Sequence, residues 1–373
     1  MEAINLQGVL TRFLDRGQRL SARQWQVCSH IQACRTAALG GLQLHCDHCD
    51  YDVPRYHACR DRHCPQCQWR TSRRWCEQQQ AAVLPVTYYH LVFTVPHTLN
   101  RWVQLHPEVI YRRLFHSVWA TLKAFAADPR RLGGELGMTA VLHTWGQALG
   151  QHVHLHCLIP GGVLSPADQW TPAKGHYLFP VRALSRVFRG KMISALRRAH
   201  DDGCLPRITR PGDVTATLDE VMQTEWVVYS KACVSKTDTV VTYLSRYSHR
   251  IAISDRRILG IENDQVLFRY KDYRDRDTSK VMRLSGTEFI RRFLLHVLPK
   301  GLMRLRHYGF LANRCRAEKL QRIRAALARD SESTPAEAQE TTGNVCDGYP
   351  CPECHQGRVR AVYPLPPVRW AGG

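Results

Sequence analysis

Acidic residues are scarce in this chain. Its 373 residues hold 32 Asp plus Glu against 52 Lys plus Arg, a formal net charge of +20 at pH 7. That deficit points to a polyanionic partner, with nucleic acid first and an anionic membrane surface second. Long apolar runs are missing too. No stretch approaches the roughly 20 consecutive apolar residues of a spanning helix. The opening "MEAINLQGVLTRFLDRGQRL" is interspersed with charge and has no signal-peptide core, so a cytoplasmic protein without a membrane partner is expected. No self-similarity at solenoid period is visible, which excludes a repeat array. Core material is not lacking: 44% of the residues are hydrophobic, enough for one large or two moderate domains.

Cysteine is abundant, at fifteen residues. In a reducing compartment, clustered cysteines more often mean metal than disulfides. Eight of them fall within the first 76 residues and three between 346 and 354, while Cys157, Cys204, Cys233 and Cys315 are scattered, as small buried hydrophobes would be. The segment "CDHCDYDVPRYHACRDRHCPQC" contains Cys46-x-x-Cys49, fourteen intervening residues, and Cys64-x-x-Cys67. Two such knuckles can offer four thiolates tetrahedrally to one Zn²⁺, and this is the expected structural site. Cys59 and His63 lie inside the loop, where either could replace a knuckle thiolate. Cys28, His30 and Cys34 form a weaker second group, and "CDGYPCPECHQG" (Cys346, Cys351, Cys354, His355) a third. Arg55, Arg60 and Arg62 in the loop, followed by "WRTSRRW", suit phosphate contact. A purely structural zinc remains the alternative.

Hydrophobic periodicity organises the rest. Residues 1 to about 40 read as helical through Leu6, Leu10, Phe13 and Leu14. A strand begins at Tyr88, which puts a domain boundary near residue 85. "EVIYRRLFHSVWATLKAFAADP" and "VFRGKMISALRRAH" are amphipathic helices, and "GMTAVLHTWG" with "HVHLHCLIPGG" reads as a hairpin. "TEWVVYSKAC", "RIAISDRRILGI" and "QVLFRYKDY" read as strands, and "DTVVTYLSRYSH" as a helix. From Thr287 the chain reads as helical and basic, and "RDSESTPAEAQETTGN" as a linker. The expected class is α+β on a largely antiparallel sheet.

"QHVHLHCLIPGG" carries the strongest chemical hint. On a strand, His152, His154 and His156 share one face while Val153, Leu155, Cys157 and Ile159 share the other. The histidines could be a solvated face, structural zinc ligands, or ligands of a catalytic divalent ion. A hairpin closed across residues 146 to 151 would bring a third ligand beside His154 and His156: Gln147, the expected one, or His143. Three protein ligands leave positions open for substrate oxygens, and a set without thiolate suits Mg²⁺ or Mn²⁺ once a phosphate joins it.

In "VVTYLSRYSHRIAIS", Tyr243 and Tyr247 are four apart and share a helix face. Neighbouring Arg246, His249 and Arg250 argue against a dry aromatic core. The succession of "CRDRHCPQC", "LHTWGQ", "HVHLHCLIPGG", "YLSRYSHRIAIS" and "EFIRRFLLHVLPKG" resembles the two-tyrosine HUH transposases of rolling-circle insertion sequences, the IS91-like group. HUH denotes His-hydrophobe-His. The resemblance covers about residues 20 to 320. It implies an HUH-endonuclease-type antiparallel sheet flanked by helices, with the histidines on a central strand, preceded by a small helical and zinc-binding domain. It also implies His154 and His156 as the metal pair, Tyr243 and Tyr247 as nucleophiles, and the Cys46 to Cys67 segment as the zinc-binding part. The expected domains are 1–85 (helical and zinc-binding), 86–286 (nuclease and strand transferase), 287–330 (basic helical segment) and 331–373 (flexible tail with a candidate knuckle).

The function implied is nicking and rejoining of single-stranded DNA at element ends through 5′-phosphotyrosine, by a bacterial, nucleoid-associated protein. Its partners would be single-stranded element ends and target DNA. A plasmid replication initiator or relaxase shares that chemistry, and a noncatalytic zinc-dependent DNA-binding regulator shares only the charge and the cysteines.

Overall fold

In the computed structural model of the chain, residues 4–15, 17–68, 82–173, 177–208, 211–233, 251–273, 275–329 and 348–368 are described. The first helices are α1 (Leu6–Phe13) and α2 (Ala22–Ala33). Asn5 caps α1 by accepting from the Gly8 amide, and Ser21 with Gln24 forms a reciprocal capping box on α2, so both helices start where orphan amides find side-chain acceptors. Strands β1 (Gly41–Cys46) and β2 (Asp52–Tyr56) pair next, and β3 (Tyr88–Thr94) opens the central sheet. Helices α3 (Asn100–Leu105) and α4 (Pro107–Ala127) follow; Pro107 at the first turn of α4 has its φ already set for a helix and no amide to leave unpaired.

The predicted hairpin is present as β4 (Gly137–Trp145) and β5 (Gln151–Pro160), in register Leu142 to Leu155 and His143 to His154. A small pair, β6 (Gly162–Leu164) and β7 (Trp170–Pro172), leads to α5 (Val181–Asp201), α6 (Pro211–Gln223) and β8 (Val228–Cys233). Then come β9 (Ile258–Glu262), β10 (Gln265–Asp272), β11 (Thr278–Ser285) and α7 (Gly286–Leu294). Asn263 and Asp264 both have positive φ, the two-residue turn geometry that matches the twist of a tight hairpin.

The central sheet has order β12-β4-β5-β3-β8, with β12 (Leu305–Gly309) on one edge, and every pairing is antiparallel. The fold is α+β, with the histidine strand in the middle. Val153, Leu155, Cys157 and Ile159 are fully buried against a core that includes Tyr111, Phe115 and Leu122 of α4 and Phe188, Met192 and Leu196 of α5. Each such aliphatic side chain contributes about 1.5–3 kcal/mol on burial, which locks the strand's register and commits the imidazoles to the opposite face.

Two features depart from the sequence expectation. The basic region from Thr287 is not helical throughout: α7 stops at Leu294, Pro299 and Gly301 (φ 79°) turn the chain, and β12 adds an edge strand before α8 (Arg316–Arg329). A proline and a left-handed glycine two residues apart make that turn inexpensive. The C-terminal segment, read as a flexible tail, forms β13 (Tyr349–Pro350) and β14 (Arg358–Leu365), which join β1 and β2 in a sheet of order β13-β14-β1-β2. Separately, α1 and α2 pack Leu6, Leu10 and Ile31 against Phe268, Phe289 and Phe293 of β10 and α7. No helix among the described residues is long and apolar enough to cross a membrane.

Candidate metal centres

The strand register brings three imidazoles together. His154 and His156 are successive same-face residues of β5, and His143 lies directly across from His154 on β4. Their ring nitrogens all fall within 4.8 Å of one another. The Nδ1–H of His154 donates to the carbonyl of His152 at 2.9 Å, which fixes the tautomer and leaves Nε2 as a lone pair. That Nε2 sits 3.0 Å from Nε2 of His156. On its other side His156 Nδ1 lies 2.8 Å from Nε2 of His90, a buried residue of β3 whose protonated form burial disfavours, its pKa pushed down to about 4. With neutral His90 accepting from Nδ1–H, His156 also turns a lone pair toward His154. Adjacent ligands about 2.1 Å from one octahedral ion lie about 3.0 Å apart, so the pair fits a single divalent cation. The histidines line an open cavity of about 270 Å³ shared with Gln147, Arg257 and Tyr273. Arg257 donates to the carbonyls of Gln147, Ala252 and Arg269, tying the 146–150 turn to the β9–β10 hairpin.

The cysteines form two groups rather than one. Cys34, at the end of α2, meets Cys59, Cys64 and Cys67; the Sγ separations are 3.6 Å for Cys34–Cys67 and 3.7 Å for both Cys59–Cys67 and Cys34–Cys64. Four thiolates about 2.3 Å from a tetrahedral zinc are about 3.8 Å apart, whereas a disulfide bond is about 2.05 Å long. Cys46 and Cys49 meet Cys351 and Cys354 instead. The expected Cys46, Cys49, Cys64, Cys67 set is therefore divided: β2 and the following loop carry the second knuckle away from the first, to the end of α2.

Comparison with known proteins bears on the N-terminal cysteines and on the family. A family model described as "Transposase zinc-binding domain", of the IS91 type, matches residues 5–95, and one described as "Putative transposase" matches residues 137–319. The "Putative transposase y4qJ" of Sinorhizobium fredii is 43% identical over 360 residues, 92% of this chain and 90% of that protein. The chain belongs to the IS91-like transposases. A "Transposase for insertion sequence element IS801" from Pseudomonas savastanoi pv. phaseolicola is 26% identical over 320 residues, covering 81% and 73% of the two chains. No solved structure matches.

In this transposase the histidine centre lies within the second matched segment and the Cys34 cluster within the first. Of the sequence candidates, Cys59 joins a cluster and His63 does not. His63 is buried between Asp61, 2.9 Å from its Nδ1, and the Leu298 amide, which donates to Nε2 at 3.2 Å. Arg62, read as a phosphate contact, gives its guanidinium to the carbonyls of Pro299 and Leu302, while Arg55 and Arg60 are exposed. Cys28 is buried in the core with its thiol pushed up to about 12 by burial, and His30 pairs with Asp61 at 3.1 Å. Gln147 lines the histidine cavity, but its Nε2 donates to Tyr273 at 2.9 Å, and His143 is the group that closes on the pair. Tyr243, Tyr247 and Cys346 lie outside the described residues. Sequence reading missed His90; a lone histidine between Tyr89 and Leu91 in "YYHLVF", on the strand face opposite the core, was its only trace.

Proposed function

We propose that this transposase nicks and rejoins single-stranded DNA at the ends of its insertion sequence through 5′-phosphotyrosine intermediates. The observation that carries the reading is the convergence of His143, His154 and His156 on the central strands of an antiparallel sheet, in a member of this family. A divalent ion such as Mg²⁺ or Mn²⁺ held by these imidazoles would supply Lewis-acid polarisation of the scissile phosphate. The protein's own contribution is to hold three imidazoles at fixed spacing, with His90 and the His152 carbonyl orienting two of them. The surrounding cavity leaves one side open to a phosphodiester.

Tyr243 and Tyr247 are the proposed nucleophiles. The phenolic oxygen, having given up its proton, bonds to phosphorus as the P–O3′ bond breaks, and the departing oxygen takes a proton to become a 3′-hydroxyl. One phosphate ester replaces another of similar energy, so the reverse attack by a 3′-hydroxyl on another strand rejoins DNA without ATP. Two tyrosines four residues apart in one chain would let one end stay attached while the second strand is cut. Exposed bases on a single strand can stack or be read while the attacked phosphate enters the cavity, and the +20 charge draws DNA in.

The test uses the full chain, labelled single-stranded oligonucleotides covering the element ends, and Mn²⁺ or Mg²⁺. A band that stays covalently shifted on a denaturing gel is expected, reduced in Tyr243→Phe and Tyr247→Phe and absent in the double variant. DNA binding with no adduct under any metal would leave a DNA-binding regulator as the surviving reading.

A further inference from the structure

We propose that Cys46, Cys49, Cys351 and Cys354 hold a second structural Zn²⁺, forming a zinc ribbon assembled from the two ends of the chain. Two β-hairpins each carry a Cys-x-x-Cys in the turn: β1–β2 with Cys46 and Cys49, and β13–β14 with Cys351 and Cys354. β1 and β14 are hydrogen-bonded neighbours, in register from Gly41–Leu365 to Cys46–Val359, so the turns emerge at the same end of one sheet. The thiols meet crosswise, Cys46 with Cys354 and Cys49 with Cys351, both at 3.8 Å, the edge length of a zinc–thiolate tetrahedron.

Three details fit metal ligation better than incidental burial. The His48 amide donates to Cys46 Sγ at 3.4 Å and the Gly357 amide to Cys354 Sγ at 3.3 Å, so a backbone N–H orients one sulfur of each knuckle. A Cβ at Gly357 would stand 2.6 Å from Cys46 Sγ and 2.5 Å from His48 Cβ, so the hairpins approach as closely as a bare backbone permits. The apolar support is also slight: among the described residues, buried Leu44 and Val359 with partly buried Leu42, Tyr51 and Val53 are the hydrophobes packed with the four cysteines, a small core for two hairpins without a staple. A set of four thiolates selects zinc or an iron–sulfur centre, and four sulfurs within 4.8 Å of one another suit a single ion.

This clasp ties the C-terminal strands across a gap of about 300 residues in sequence. It also builds a wall of a basic hollow, a cavity of about 740 Å³ where Arg35, Arg55 and Arg60 face Tyr349 and Arg360 from the other end of the chain. Arg55 stacks over the Tyr349 ring at 4.8 Å.

Zinc content of the full-length protein tests the proposal independently of any activity. Cys46→Ser/Cys49→Ser and Cys351→Ser/Cys354→Ser should each lose one equivalent relative to the parent, and the quadruple variant should lose no more than that one. Cys34→Ser/Cys59→Ser should lose a different equivalent. Unchanged zinc in Cys351→Ser/Cys354→Ser, or two equivalents lost in the quadruple variant, would overturn the shared site. A second measurement covers variants that fold poorly. With a protease site inserted between residues 331 and 345 and then cut, the C-terminal fragment should stay bound to the unsubstituted protein on a sizing column, and leave with one zinc on chelation. A fragment that separates while zinc remains at full content would show that no ion clasps it.

Discussion

The histidine centre and the Cys34 cluster solve opposite problems, one on neighbouring strands and the other between a helix end and the loop after β2. Cys34, Cys59, Cys64 and Cys67 close around a point with four soft ligands in a mostly buried position, and nothing is left for a substrate. His143, His154 and His156 supply three nitrogens at the mouth of a cavity, with the remaining directions open. Ligand count and exposure together separate an ion that holds the fold from one that can be shared with a phosphate.

The largest effect should come from breaking the closed centre. Structural zinc contributes on the order of 10 kcal/mol to a small domain, so Cys64→Ser should lose its zinc and the cooperative unfolding of the N-terminal region, read by metal analysis and near-ultraviolet circular dichroism. A native spectrum and a native melting curve without zinc would erase the contrast. Breaking the open centre should leave the fold intact. His156→Ala should lower DNA cleavage by about 10²–10³-fold or more, the scale of removing one group that stabilises developing charge, with zinc content, melting temperature and DNA affinity nearly unchanged. His143→Ala should behave alike, whereas Gln147→Ala should fall by no more than about tenfold; the opposite order would restore the glutamine as third ligand.

A smaller effect sharpens the comparison at its support. His90→Phe keeps the bulk in β3 but removes the partner of His156 Nδ1. Loss of such an orienting contact costs roughly 10–100-fold in metal affinity, so Mn²⁺ titration should show that weakening while the melting temperature moves little. Unaltered Mn²⁺ affinity would reduce His90 to packing.

The smallest effect concerns acid stability. His296 is fully enclosed between the Leu149 carbonyl at 3.0 Å and Thr144 Oγ1 at 3.2 Å, and burial pushes its pKa down to about 4. The unfolded chain takes up a proton near pH 6.5 and the folded one does not, so stability falls as pH drops from about 6.5 toward 4. At pH 5.5 this single group accounts for about 1 kcal/mol. His296→Gln should flatten the slope of melting temperature against pH in that window, and an unchanged slope would assign it to other buried histidines.

Local chemistry was legible in the sequence wherever it repeats at the period of its element. Alternation in "HVHLHCLI" placed Val153, Leu155 and Cys157 in the core and His154 and His156 together, and the Gly-containing loop before it marked the hairpin. Partnership across long separations was not. Spacing alone joined Cys46 and Cys49 to Cys64 and Cys67, because a knuckle motif counts only neighbours along the chain. The actual partners arrive from the end of α2 and from β13–β14, through strand pairing that leaves no mark near residue 46. The edge strand β12 was hidden for a similar reason: "LMRLRHYGF" has basic and apolar residues that suit either period, and only its pairing with Met138 to Val141 decides between them.

The contrast between closed and open centres is tested most directly by anomalous diffraction at the zinc and manganese edges, on crystals of the full chain grown with Mn²⁺. Zinc peaks are expected at the Cys34 and Cys46 clusters, each with four sulfur ligands, together with a manganese peak among His143, His154 and His156 whose other ligands are solvent or DNA oxygens. Zinc held among the histidines in a closed four-ligand shell, or no manganese there at all, would contradict the division of labour drawn here.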